Sequence, residues 1–144
     1  MIDRRYFMIL GSATLSGLAP RLANATAMSR ITAYAFTFKG LVVLGVPSND
    51  FGGQEPGGVT DIHATAQGEY HVTFPITEKV TVKGRDAHPF YRWAAAERPL
   101  EAPRWNFHKY LTGRDGYLKA GFTSAIEPTD PRVIAAIETE LAAE

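Results

Sequence analysis

The sequence contains no cysteine. No disulfide, thiolate metal site or thiol chemistry can therefore come from these residues. Net charge is missing too: fifteen basic and fifteen acidic side chains cancel, which excludes the basic surface of a nucleic-acid binder. At 45% hydrophobic residues the chain is not a disordered one. No uninterrupted run of about 18 apolar residues occurs, so nothing reads as a membrane span. His63, His71, His88 and His108 show no i,i+3 or i,i+4 pairing, which removes a helical zinc site. Gly52-Gly53 is not followed by a lysine-serine pair, so it is no phosphate loop. Repeats and low-complexity tracts are absent, and 144 residues suggest one domain.

The N-terminus has the order of an export signal. Arg4 and Arg5 precede Tyr6, Phe7 and Met8, a weakly apolar run over residues 9–19, and then Ala23-Asn24-Ala25. The adjacent arginines match the twin-arginine pattern. Gly11, Gly17 and Pro20 argue against an ordinary amphipathic helix. Residues 1–27 are therefore expected to lie outside the fold. Cleavage after Ala25 would give a periplasmic or otherwise exported product, whereas translation from Met28 would give a cytoplasmic one.

Residues 41–57 organise the rest of the chain. Leu41, Val42, Val43 and Leu44 read as a strand buried on both faces. Pro47, Gly52, Gly53, Pro56 and Gly57 then force a long turning loop that carries Ser48, Asn49, Asp50, Gln54 and Glu55. Polar groups at the carboxyl end of a buried strand suit a site in an open α/β sheet; a solvated connector is the plain alternative. Ahead of it, residues 31–39 alternate Tyr34, Phe36 and Phe38 as a strand. Behind it, Val59, Ile62 and Ala66 have helical spacing, with Thr60 or Asp61 near the start and Gly68 as a stop. A short strand at Val80 and Val82 and a helix from Asp86 through Ala96 come next. Residues 105–112 and 117–122 flank Asp115-Gly116, a hairpin signal. Asp130-Pro131 opens a last helix with Val133, Ile134, Ile137 and Leu141 as its apolar stripe. The sum is an α/β sandwich.

The stretch "LGVPSNDFGGQEPG" resembles the glutathione peroxidase family. "VTFP" at residues 72–75, "DAHP" at 86–89, "RWNFHKYL" at 104–111 and "GRDG" at 113–116 come in that family's order, after a short match at "YAFTFKG". The resemblance implies a thioredoxin-like fold over residues 28–144 and descent from a thiol-dependent peroxide reductase of the oxidative-stress response. Its substrates would be a small peroxide and a thiol reductant, glutathione or thioredoxin, with no resident cofactor or metal. It further implies that Gln54, Trp105 and Asn106 are the donors around a peroxide-attacking cysteine or selenocysteine. Each has a plainer reading: Trp105 as a core aromatic, Asn106 as a loop-satisfying group, Gln54 as a solvated one.

In the family, that nucleophile lies between the "FTFKG" and "LVVLGVP" strands, which here are joined at Gly40-Leu41. A strand, helix and loops on the order of forty residues are missing at that join. The fold is thus expected to be an incomplete one, without its central strand and first helix, and without turnover. Ser48 stands where many relatives carry a cysteine, but not the peroxide-attacking one. Loss of the strand would expose the edge of residues 41–46, unless residues 31–39 took the open place. The alternative function is a non-catalytic exported module that recruits a partner at that edge. The short link from Val82 to Arg104 implies a monomer or weak dimer.

Overall fold

The computed structural model describes residues 40–143 and the backbone of two further segments, 6–11 and 36–38. Arg4, Arg5, the cleavage region around Ala23 to Ala25, Met28 and Tyr34 lie outside the described residues. Five strands form one mixed sheet: β1 (Tyr6–Gly11), β2 (Phe36–Phe38), β3 (Leu41–Pro47), β4 (Lys109–Thr112) and β5 (Leu118–Phe122), in the order β2-β3-β1-β4-β5. Helices α1 (Val59–His63), α2 (Pro89–Glu97) and α3 (Pro131–Ala142) complete it.

The mixed α/β class expected from the sequence holds, and the middle of the sheet is the surprise. No strand lies between Gly40 and Leu41: Phe38 pairs directly with Leu41, and Gly40 turns the corner at a left-handed φ of 88°. The central position is filled by β1, antiparallel to β3 from Tyr6↔Pro47 to Gly11↔Val42 and parallel to β4 from Met8↔Lys109 to Gly11↔Thr112. Residues 6–11 thus pair within the sheet, and β3 has neighbours on both sides, so among the described residues nothing supports the open edge that the partner-recruiting module needed. Unpaired ladder groups on β3 would each carry a desolvation cost, and a segment with strand propensity relieves it. β2 pairs as an edge strand and does not take the central place.

Alternation along the strands sorts the core into layers. Leu44 and Val46 of β3, with Tyr110 and Leu118, pack under Phe90, Tyr91 and Ala94 of α2. Leu41 and Val43 face the other way, with Leu111 and Phe122, against Val133 and Ile137 of α3. Ile134, expected in the α3 stripe, is 42% exposed, because Ala136 takes the inward turn. Asp130 caps α3 as expected, its Oδ1 accepting from Arg132 N at 2.9 Å.

Other boundaries shift for local reasons. Asp86 does not cap α2; His88 does, its Nδ1 accepting from Phe90 N at 3.3 Å, because Pro89 fits the first helical position. α1 begins at Val59, where Asp61 Oδ2 reaches back to accept from Gly58 N at 3.0 Å. Gly68 does not stop it: α1 widens into a π-type turn over Ala64–Glu69. Val80 and Val82 form no ladder strand. Val80 N donates to Pro47 O at 3.0 Å, and Asp50 takes up the backbone beyond. At Gly45 the "VTFP" stretch crosses so closely that a Cβ would sit 3.1 Å from Phe74.

Candidate functional site

β3 ends at Pro47 and empties into a loop shaped by its own polar side chains. Ser48 is buried, and its Oγ accepts from Asp50 N at 3.3 Å. Asn49 Oδ1 accepts from Glu55 N at 3.0 Å. Asp50 points outward from the loop, where its Oδ2 accepts from Val82 N at 2.7 Å and Lys83 N at 3.1 Å. Between these anchors Gly52 and Gly53 adopt φ of 72° and 59°, a region that a Cβ disfavours. The turn leaves Gln54 at the surface.

The other half of the site is the corner before β4. The sequence pattern starts a strand at Trp105, but β4 begins only at Lys109, because Phe107 sits at a left-handed φ of 61° and breaks the extended run. The corner is pinned from behind. Ser124 Oγ donates to Asn106 O at 2.5 Å. The buried Lys109 ammonium donates to Phe107 O at 2.7 Å and also to Ile126 O. The consequence is a split in direction: Asn106 is buried and Trp105 is 51% exposed.

All three residues singled out from the sequence come together. Asn106 Nδ2 donates to Gln54 Oε1 at 2.7 Å and lies 3.5 Å from Phe51 O. The Trp105 ring is tilted on that of Phe51, with centroids 6.1 Å apart. A Cβ at Gly52 would lie 3.5 Å from Trp105 Cη2 and 3.6 Å from Gln54 Cγ, so indole and carboxamide flank one glycine. With its oxygen engaged, Gln54 has its two N–H donors as remaining capacity, and Trp105 has an indole N–H. None of these groups titrates, so they present fixed dipoles at any ordinary pH. Charge stands just outside: Lys83 Nζ lies 4.8 Å from the Phe51 ring centroid. His108 stays neutral at pH 7, because burial and then the Lys109 charge lower its pKa from 6.5 to about 4.

Of the plainer readings, the core-aromatic one fails for Trp105, and the solvated one holds for Gln54 only in part, since its oxygen is bonded. Asn106 does bridge two loops. Sequence patterning does not single out Phe51, Lys109 or Ser124. Their roles depend on contacts across the sheet end, and no spacing in the sequence signals them. Among the described residues no cluster of three or more His, Asp or Glu could hold a metal.

The family model for glutathione peroxidase matches residues 3–95, and so takes in β1 as well as the Gln54 loop. The hydroperoxy fatty acid reductase Gpx2 of a Synechocystis strain is 36% identical over 141 residues, covering 98% of this chain and 88% of that protein. The thioredoxin/glutathione peroxidase BtuE of Escherichia coli is 31% identical, covering 94% of this chain and 84% of that one. A solved structure, of Trgpx in apo form, aligns with a TM-score of 0.48 at 26% identity, over 95% of this chain and 83% of that one.

Proposed function

The chain belongs to the glutathione peroxidase family, and we propose that it is a thiol-dependent peroxide reductase by descent that keeps its peroxide-orienting donors without a nucleophile. In this reading Gln54 and Trp105 direct N–H groups at the place where a peroxide oxygen would gain negative charge, and the buried Asn106 holds the Gln54 carboxamide in place. The observation that carries it is the 2.7 Å bond from Asn106 to Gln54, beside the exposed Trp105, in a chain with no cysteine. Peroxide reduction by a thiol enzyme needs a thiolate to attack one oxygen while the other leaves. Ser48 is no substitute: its buried hydroxyl lacks the acidity and softness of a thiol with a pKa near 8.5. Glutathione and thioredoxin are the reductants to offer, and a fatty acid hydroperoxide belongs beside hydrogen peroxide as oxidant, given the names of the two relatives.

Purified protein assayed with each reductant, its recycling reductase and each peroxide should consume NADPH at the rate of buffer. Thiol-dependent consumption that rises with protein concentration would overturn the proposal. Export by the twin-arginine route is a further proposal, supported by Arg4-Arg5 and the residues behind them. N-terminal sequencing of the protein from a periplasmic fraction tests it: a chain starting after Ala25 supports export, and an uncleaved cytosolic chain refutes it.

A further inference from the structure

We propose that Lys79 is a positioning residue for Gln54, acting as an ammonium clamp on the loop that carries it. Lys79 Nζ donates to Glu55 O at 3.0 Å and to Gly57 O at 2.8 Å, with Pro56 O at 3.5 Å. One lysine thus draws three consecutive carbonyls of the loop around itself, immediately after Gln54.

The need for such a clamp comes from the rest of the loop. On the N-terminal side of Gln54 stand Gly52 and Gly53, the residues with the widest backbone freedom, and a Cβ at Gly53 would meet nothing within 4 Å. On its C-terminal side the anchors include Asn49, which accepts from Glu55 N at 3.0 Å, and Lys79. Lys79 is itself tied to the exit of β3. The next residue, Val80, donates from its N to Pro47 O at 3.0 Å, and Asp50 accepts from Val82 N and Lys83 N. The partner of Gln54 is fixed independently, since Asn106 is buried and its carbonyl accepts from Ser124. Lys79 therefore transmits the position of the β3 end to the less anchored half of the Gln54–Asn106 pair. An ammonium on neutral carbonyls is a charge-assisted contact, stronger than an ordinary amide bond.

That Gln54 serves a peroxide rests on the proposed function; the clamp does not, and its test is read without activity. The reporter is the side-chain amide of Asn106 in 15N-labelled full-length protein. In Lys79→Met, which keeps stem length and removes the charge, its N–H protons should exchange roughly tenfold faster, as expected for the loss of one hydrogen bond. Backbone amides of β4 and β5 should keep their protection, and Lys79→Arg should restore most of the Asn106 protection. An unchanged Asn106 amide in Lys79→Met overturns the proposal, as does equal deprotection of β4 and β5, which would mean general loosening. Should Lys79→Met fail to fold, the wild-type protein decides. Scalar coupling from Lys79 Nζ to the carbonyl carbons of Glu55 and Gly57 supports the clamp, and its absence overturns it.

Discussion

Acid should weaken this fold through one histidine. His108 is 1% exposed and lies edge-on to Tyr110, with ring centroids 4.4 Å apart. Burial is the larger cause of its low pKa and the neighbouring Lys109 charge the smaller. Between pH 6.5 and about 4 the unfolded chain therefore binds a proton that the folded chain refuses. Stability is complete above 6.5 and is lost as pH falls towards 4, at about 1.4 kcal/mol for each pH unit. By pH 4.5 the loss amounts to about 2.5 kcal/mol, a large share of the roughly 5–15 kcal/mol of a typical domain. Carboxylates titrate in the same window, so the measurement must be a difference. Urea unfolding of wild type and of His108→Phe, each at pH 7.5 and 4.5, isolates the histidine contribution. Wild type should lose about 2.5 kcal/mol more than the variant on acidification. Parallel pH dependence in the two proteins would rule out His108 as the source of the acid sensitivity, because a non-titrating ring would then behave as the histidine does.

A chain of residues 28–144 removes β1, which has six register partners on β3 and four on β4. On the order of ten backbone hydrogen bonds at about 0.5–1.5 kcal/mol each rivals the whole stability of a domain, so this product should show no cooperative unfolding transition; a wild-type melting curve would contradict the place of β1 in the sheet. If export removes that segment, the same experiment describes the exported form. The Tyr110 hydroxyl is buried without a hydrogen-bond partner among the described residues, and its pKa is raised by burial and by Glu101. Tyr110→Phe should be neutral or stabilise by about 1 kcal/mol in urea unfolding, and a loss of that size would mean that a partner exists. Asn106→Ala removes the buried bridge between the Gln54 loop and the β4 corner, and should cost about 1–3 kcal/mol by the same assay. A cost below about 0.5 kcal/mol, as expected of a surface change, would show the bridge to be idle.

Legibility in the sequence goes with locality. The apolar run of β3, the Asp115-Gly116 turn with Gly116 at φ 78°, and the Asp130-Pro131 start of α3 each carry their signal within a few residues, and each stands where the sequence puts it. Gln54, Trp105 and Asn106 are legible by resemblance, and Asn106 bonds to Gln54. The hidden part is non-local. No period in residues 6–11 says that they pair with both β3 and β4. The alternation at Val80 and Val82 suggests a ladder, but the side chain of Asp50 occupies the backbone donors there instead. Trp105 looks like a strand residue because its apolar ring fits one, and only the left-handed backbone at Phe107 shows otherwise.

The donor residues surround no thiol or selenol that could turn over a peroxide, and stoichiometry decides whether the protein does so. The sequence has three methionines and no cysteine, and each thioether can take one oxygen as sulfoxide. After subtraction of the direct reaction of glutathione with peroxide in a protein-free control, peroxide consumed per chain should therefore level off at no more than three equivalents, with or without the thiol. Protein-dependent consumption that continues past that ceiling only when thiol is present would mean that the protein turns over peroxide without a cysteine.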